Sequence, residues 1–348
     1  MTTTANAPAP APAVRLPQFQ VGVDYWANTE ATVNGVLGGY GPATAVPRLD
    51  ATASRMLILS IMPHLSTIAP PHRASISASE TTTATTQSQR RSFRALDCGA
   101  GIGRVTSTVL ASRSKQFQDV DFDLWANPSP VFPPSAHQLP LFDRVDLVEP
   151  VPKFLKEAQR HAERGREGWK YLSTGKGVRM WQAGLQFFDP AAPAIPVPPI
   201  RSEDPQAVVG TVELVATYGS ESLVWPDPKR RRDTDSGGAE DGYDLCMIQW
   251  CIGHLSDAEL VDFLKRSRKA LRQDDQGCQG YIILKENVCK DTEGAGAGFL
   301  FDDDDSSVTR SDKVFKNIFA DAGLEVLRQE TQQGFPKELF PVIAYVLR

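Results

Sequence analysis

The sequence of 348 residues is poor in cysteine and has no long apolar run. Its five cysteines form no CxxC pair and no zinc-ligand spacing, so we expect neither a disulfide framework nor a metal site. The longest apolar run, residues 56–62, is far shorter than the roughly 20 residues that a membrane-spanning helix needs. The amino-terminal residues lack a basic segment followed by an apolar one, the signature of a secretory signal. We therefore expect a reduced, intracellular protein with no membrane partner.

Positive charge is also not in excess. The chain has 37 Lys and Arg against 42 Asp and Glu, which gives a formal net charge of −5. Proteins that bind nucleic acid in a groove usually present a basic face to the phosphates. We expect no nucleic-acid partner.

Several stretches contain too few apolar residues to offset the entropy lost when a chain becomes ordered. Residues 1–20 are rich in Ala, Pro and Thr, and we expect a disordered tail there. Ser, Thr and Pro clusters predict three low-complexity inserts at about 66–92, 112–140 and 190–240. The remaining ~250 residues suit one α/β domain, so we expect a single domain over 21–348.

Predicted strands alternate with predicted helices over the rest of the chain. Helices are expected after the glycines at 99–103, over 151–163, from Ser256 onward and over 313–322; Ser256 and Glu259 have the spacing of a capping box. Strands are expected at 93–97, 144–148, within 178–188, and at 243–250, 281–284, 324–327 and 342–347. This alternation predicts an α/β fold with a doubly wound, mostly parallel sheet of seven strands.

A glycine-rich turn follows the first predicted strand. Asp97 precedes Gly99, Gly101 and Gly103, and Arg104 occupies the position where a dinucleotide fingerprint has its third glycine. The G-x-G-x-G spacing instead suits S-adenosylmethionine, which has no diphosphate to cradle. Glu149, at the end of the second strand, could accept hydrogen bonds from ribose hydroxyls. Together the turn and the acid favour an adenosyl cofactor over a purely structural turn.

Longer motifs resemble the eukaryotic protein α-N-terminal methyltransferases. The most specific are LGGYG at 37–41 and DDDDSSV at 302–308, which are not general methyltransferase motifs; the others are YW at 25–26, TVNGV at 32–36, SR at 54–55, LDCGAGIGR at 96–104, GLQ at 184–186, IQWCIGHL at 248–255 and KEN at 285–287. The resemblance covers nearly all of the chain outside the inserts. It implies a class I, Rossmann-like, S-adenosylmethionine-dependent methyltransferase with an N-terminal helical extension.

The resemblance also implies an activity and a set of site residues. The family methylates the α-amine of proteins that begin Xaa-Pro-Lys or Xaa-Pro-Arg after removal of Met. The implied cofactor residues are Gly99, Gly101, Gly103, Arg104, Glu149, Leu185, Gln186 and Gln249. The implied substrate residues are Trp26, Leu37, Trp250, Asp302 and Ser307, and the implied catalytic residues are Asp305, His254 and Asn287. Asp305 and His254 both remain open as the base.

Two positions depart from the family. Most relatives have Asp where this chain has Glu149, which shifts the ribose contact but keeps its chemistry. Relatives also have a tyrosine in the stretch aligned to residues 339–341, where this chain has Phe340, so peptide preference is open.

The resemblance further implies a monomer in the cytoplasm and the nucleus, with ribosomal proteins among the expected substrates. Three alternatives stay open: a lysine or small-molecule methyltransferase on the same fold, a non-catalytic adaptor that binds protein N-termini, and a nuclear scaffold acting through the Pro-rich tract and the basic run at 229–232.

Overall fold

A computed structural model describes residues 15–65, 92–110, 141–165, 169, 172, 175–198, 200, 210–221, 223–229, 241–274, 277–291 and 298–348. Its helices are α1 (Phe19–Asn28), α2 (Val33–Val36), α3 (Val46–Ile61), α4 (Pro152–Glu163), α5 (Asp257–Ala270) and α6 (Asp312–Asp321), with shorter helical turns at Pro63–Leu65, Thr106–Leu110, Leu185–Phe187 and Ile252–His254. Its strands are β1 (Arg94–Cys98), β2 (Arg144–Glu149), β3 (Gly177–Gln182), β4 (Glu213–Gly219), β5 (Leu245–Gln249), β6 (Gln273–Asp274), β7 (Gly277–Cys278), β8 (Tyr281–Cys289), β9 (Phe299–Asp302), β10 (Ser307–Ser311), β11 (Val326–Thr331) and β12 (Val342–Leu347).

The central sheet has the order β11-β12-β8-β5-β1-β2-β3-β4. The neighbours from β8 through β3 are parallel, whereas β11, β12 and β4 run antiparallel to their neighbours. The predicted α/β doubly wound sheet is confirmed, with all seven expected strands. Within the described residues the sheet has ten strands, because β4 is added at one edge and the β9–β10 hairpin pairs with β8 through β10. The strand order reverses at β1, so a crevice opens beyond the carboxyl ends of β1 and β5, where such sheets bind ligands.

Both faces of the sheet are buried at its central strands β1, β2 and β5, as their continuous apolar runs predict. On β1, Leu96 and Cys98 pack in one hydrophobic cluster and Ala95 packs in the other. Helix α5 covers the first face with Leu260, Phe263 and Leu264, and its capping box between Ser256 and Glu259 is formed as predicted. This double packing holds the strand ends, and hence the crevice, in a fixed place.

Strand β4 corrects the expectation that 190–240 is an unpacked insert. It pairs antiparallel with β3 from Gly177↔Gly219 to Gln182↔Glu213. The chain after it packs against arginines at the amino end of the sheet: Arg144 Nη1 donates to the carbonyl of Val224 over 2.8 Å, and the guanidinium carbon of Arg179 lies 4.4 Å from the ring centroid of Trp225. Within the tract, proline-containing stretches flank the segment Glu213–Gly219, whose β-branched and aromatic residues are typical of a strand. The average composition of the whole tract did not reveal this strand.

The other predicted boundaries fall mainly on residues that the structure does not describe. Residues 1–14 of the expected tail lie outside the described residues, but α1 begins at Phe19, so the tail as predicted extends too far. Residues 66–91 and 111–140, which hold nearly all of the first two expected inserts, also lie outside them.

Candidate functional site

A cavity of about 710 Å³ lies beyond the carboxyl ends of the central strands. Gly99 and Gly101 line it from the loop after β1, and Glu149 lines it from the end of β2. Leu185 and Gln186 line it from the turn after β3, and α1 closes it from above with Phe19 to Trp26. We call this space the strand-end cavity. It brings together five of the eight residues expected to bind a cofactor.

The glycine turn is left-handed at three positions. Gly99, Gly101 and Gly103 have φ angles of 62°, 56° and 76°, which residues with a side chain rarely adopt. A Cβ atom on Gly99 would lie 2.2 Å from the Cβ of Cys251 in the loop after β5. Glycine is therefore required at position 99 both for the conformation and for the close approach of two loops. Gly103 packs under Trp169 and is not a lining residue of the strand-end cavity.

Glu149 is a buried carboxylate at the floor of the strand-end cavity. Its Oε2 accepts from the backbone N–H of Gly101 over 2.8 Å, and its Oε1 accepts from the N–H of Val151 over 2.9 Å. Burial raises the pKa of Glu149 to about 7, against the opposing effect of the two backbone donors. The side chain thus ties the glycine turn to the end of β2 and stays close to the balance between its charged and neutral forms at pH 7.

Arg104 and Gln249 are held behind this cavity and do not line it. Arg104 Nη1 lies 2.7 Å from Oδ2 of Asp50, and Gln249 Nε2 donates to both carboxylate oxygens of Asp50 over 2.9 Å. Lys285 Nζ completes the cluster at 2.6 Å from Asp50 Oδ1. Asp50 is not among the predicted site residues, because a single aspartate in a helix carries no pattern that separates it from a surface residue.

A second cavity, of about 1000 Å³, adjoins the first. The two share Trp26, Val36, Trp250, Cys251 and His254 in their walls. We call the second one the hairpin cavity, because the β9–β10 hairpin supplies one of its walls. The expected substrate and catalytic residues that line it, beyond the shared ones, are Leu37, Asn287, Asp305 and Ser307. Asp302 does not: it is exposed and accepts from the N–H of Asp304 over 2.9 Å.

His254 is held in its neutral form. The indole Nε1 of Trp26 donates to Nε2 of His254 over 2.8 Å, and an indole N–H can only donate, so Nε2 carries a lone pair. Burial lowers the pKa of His254, against the opposing effect of the Asp305 charge. Asp305 Oδ2 lies 3.8 Å from the same nitrogen.

Unpartnered buried polar atoms surround the hairpin cavity. Asp305 Oδ1, Trp250 Nε1 and Glu286 Oε2 are buried and have no hydrogen-bond partner within the described part of the chain. Burial raises the pKa of Glu286 to about 7. Buried polar groups normally find partners, so such a set around one cavity indicates a ligand that supplies them.

Backbone strain is concentrated at the same place. Among the described residues, Trp250 and Ser306 are the two non-glycine residues with positive φ, at 51° and 53°. Such conformations cost of the order of 1–3 kcal/mol each and cluster at functional sites. Trp250 lines both cavities, and Ser306 lies in the turn of the hairpin beside Asp305.

A hydrogen bond joins the start of helix α1 to the β9–β10 hairpin. The backbone N–H of Gln18 donates to Ser306 Oγ over 2.9 Å. Gly22 faces His254 so closely that a Cβ atom there would lie 2.8 Å from the ring nitrogen Nδ1. The N-terminal extension therefore forms the roof over the junction of the two cavities.

The residues that the structure describes hold neither a metal-binding cluster nor a membrane-spanning helix. Within them, no three His, Cys, Asp or Glu side chains are grouped so as to hold a metal ion. No described helix is both long enough and apolar enough to cross a membrane.

The chain is similar to known proteins over most of its length. The sequence family described as AdoMet dependent proline di-methyltransferase matches residues 17–195 and 234–348, so most of the tract around β4 lies outside the match. The chain is 28% identical over 330 residues to the alpha N-terminal protein methyltransferase 1 of Arabidopsis thaliana, covering 94% of this chain and 79% of that protein. It is 28% identical over 326 residues to the N-terminal Xaa-Pro-Lys N-methyltransferase 1-B of Xenopus laevis, covering 93% and 92%.

The chain is also similar to a solved structure. A SAM-dependent methyltransferase from Leishmania major matches with a TM-score of 0.51 and 26% identity, covering 95% of this chain and 82% of that one.

Proposed function

Because the chain belongs to the AdoMet dependent proline di-methyltransferase family, we propose that it transfers methyl groups from S-adenosylmethionine to the α-amine of protein N-termini that begin Xaa-Pro-Lys or Xaa-Pro-Arg. One observation carries the proposal: the strand-end and hairpin cavities meet at Trp26, Trp250, Cys251 and His254. A methyl donor in the first and a chain end in the second would meet at that junction. The Xaa-Pro-Lys preference follows that of the Xenopus laevis relative, an N-terminal Xaa-Pro-Lys N-methyltransferase.

The residues around the strand-end cavity fit the methyl donor. Gly99 and Gly101 leave room for a ligand against the backbone, and Glu149 offers acceptor oxygens for ribose hydroxyls. Arg104 would complement the carboxylate of the donor, since a guanidinium matches a carboxylate well. When bound, S-adenosylmethionine supplies an electrophilic methyl group on a sulfonium.

The hairpin cavity suits a cationic chain end. Asp305 presents a carboxylate oxygen that no described residue hydrogen-bonds, and Asn287 and Ser307 add polar groups that can bind the first peptide units. Trp250 forms the wall between the donor and the amine. The exposed aspartates at 302–304 lie at the turn of the hairpin, where they favour a basic third residue.

The amine must lose a proton before or during transfer, and we assign Asp305 as its acceptor. An α-amine has a pKa of about 7.7–8.0, so making it neutral at pH 7 costs at most about 1.4 kcal/mol, against about 4.6 kcal/mol for a lysine. A modest base is therefore enough. Nε2 of His254 already accepts from Trp26, whereas Oδ1 of Asp305 has no hydrogen-bond partner among the described residues, so His254 is assigned to positioning.

The proposal extends to partners and location. The enzyme acts as a monomer in the cytoplasm and the nucleus, and ribosomal proteins are among its substrates. The net charge of −5 favours basic protein N-termini over nucleic acid as partners.

Mass spectrometry of a synthetic Xaa-Pro-Lys peptide incubated with S-adenosylmethionine and the enzyme tests the function. We expect methyl groups on the N-terminal residue, and none when the same peptide carries an acetylated N-terminus. Methylation of the lysine side chain, or cofactor binding without methylation of any such peptide, would contradict the proposal.

A further inference from the structure

Asp50, on α3, joins three elements through one carboxylate. It is fully buried and contacts Arg104 in the helical segment after the glycine turn, Gln249 at the end of β5 and Lys285 in β8. These contacts are 2.6–2.9 Å long. Lys285 Nζ also donates to Ser54 Oγ over 3.2 Å and to Gln332 Oε1 over 2.8 Å. The N-terminal extension thus reaches Arg104 and Gln249, two of the three expected cofactor residues that do not line the strand-end cavity.

Asp50 is the anion of this cluster. Burial alone would raise its pKa, but Arg104 and Lys285 hold that pKa below its ordinary value, so the carboxylate is ionised. Two basic side chains thus contact one carboxylate, while burial lowers the pKa of Lys285 and the buried Asp97 also interacts with Arg104. Arg104 keeps its charge at neutral pH and is the member of the cluster that suits an additional carboxylate.

Asp50 also decides which way the Gln249 amide faces. Both oxygens of Asp50 accept from Gln249 Nε2, which directs the amide oxygen Oε1 away from Asp50. That oxygen is buried and has no partner in the described residues. It is an acceptor in need of a donor, and an ammonium group supplies one.

The Arg104 guanidinium has five N–H groups, and among the described residues its one side-chain hydrogen bond runs from Nη1 to Asp50. Its central carbon lies 5.7 Å from the ring centroid of Trp250, whose side chain lines both cavities. The Asp50 carboxylate thus fixes two groups: the Arg104 guanidinium, which suits an anion, and the Gln249 amide oxygen, which suits a cation.

We propose that Asp50 is a positioning residue for the amino-acid end of the methyl donor, fixing Arg104 for its carboxylate and Gln249 Oε1 for its ammonium, with Lys285 supplying the balancing cation. This inference rests on the assignment of Arg104 and Gln249 to the cofactor. It goes beyond that assignment by making the N-terminal extension part of cofactor recognition.

Calorimetry with two ligands tests it. S-adenosylhomocysteine carries the amino-acid end, whereas 5′-methylthioadenosine has the same nucleoside and lacks that end. Asp50→Asn keeps the size of the side chain and removes its charge. We expect at least a tenfold loss of S-adenosylhomocysteine affinity, about 1.4 kcal/mol, and 5′-methylthioadenosine affinity within twofold of the wild type.

The matched control is Asp143→Asn, which removes a carboxylate paired with Lys176 at the opposite end of β2 and β3. It should leave both affinities unchanged. Lys285→Met gives a second measurement if Asp50→Asn fails to fold: it keeps Asp50 on Arg104, removes one cation, and should weaken S-adenosylhomocysteine selectively.

Three results would overturn the proposal. Equal losses for both ligands would make Asp50 merely structural. An unchanged S-adenosylhomocysteine affinity in Asp50→Asn would show that Asp50 does not position the amino-acid end. Tighter binding of S-adenosylhomocysteine by this variant would mean that Asp50 competes with the ligand for Arg104. A wild-type protein that binds S-adenosylhomocysteine but methylates no Xaa-Pro-Lys peptide would contradict the proposed substrate and leave this inference standing.

Discussion

Trp26 donates its indole N–H to Nε2 of His254 over 2.8 Å, and this bond joins the N-terminal helix to the loop after β5. The two rings are nearly perpendicular, at 89°, with centroids 6.3 Å apart. The bond stabilises the neutral imidazole, because a protonated ring would have no lone pair to offer. Together with burial, which lowers the pKa of His254, the bond favours the neutral form of a residue at the junction of the two cavities.

We predict that Trp26→Phe raises the pKa of His254. The substitution removes the donor that favours the neutral ring and leaves Asp305 Oδ2, 3.8 Å away, to favour the charged one. An NMR titration of the histidine ring protons measures the change, and His254→Gln identifies the signal. Tyr25→Phe, which removes an exposed hydroxyl next to Trp26, is the matched control. An unchanged titration in Trp26→Phe would show that burial alone sets the pKa of His254.

Replacing Asp305 by Asn should lower kcat by about 10²-fold or more at pH 7, the usual contribution of a positioned base. Because higher pH supplies the neutral amine without help, the loss should shrink toward pH 9. Asp304→Asn, an exposed neighbour in the same hairpin, is the control and should keep kcat. A raised KM with kcat preserved would instead assign Asp305 to binding of the cation and return the base role to His254.

Glu286→Gln should stabilise the fold at alkaline pH. The ordinary pKa of the residue is 4.5, and burial raises it to about 7 in the folded state. The folded protein therefore binds the proton more tightly than the unfolded chain, and its stability falls as pH rises from about 4.5 to about 7. The amide removes this penalty, and its NH₂ group can occupy the place of Oε2, which has no hydrogen-bond partner in the part of the chain that the structure describes.

Thermal unfolding measures this effect. The melting temperature of Glu286→Gln should exceed that of the wild type above pH 7, and the difference should shrink toward pH 4.5. Glu338→Gln, at an exposed glutamate, should show no such trend. A difference that does not vary with pH would mean that Glu286 does not titrate in this range.

The sequence determined the parts of the molecule that depend on local pattern. Apolar runs located β1, β2 and β5, and the Ser256–Glu259 spacing located the start of α5, because burial of a strand on both faces and capping of a helix each act over a few residues. The glycine turn and Glu149 were recognisable for the same reason, since the left-handed turn at Gly99 admits few other residues.

Only the tertiary structure decided which side chains meet. Asp50 and Lys285 are 235 positions apart in the chain, yet one hydrogen bond of 2.6 Å joins them. The same holds for Trp26 and His254, and for β4, whose place at the sheet edge depends on pairing with β3. Residue spacing along the chain carries no information about such contacts, because they depend on the order of the strands in the sheet and on how the N-terminal helices lie across it. The sequence therefore specified the chemical groups of the site, and the assembled sheet and its helical roof specified their partners.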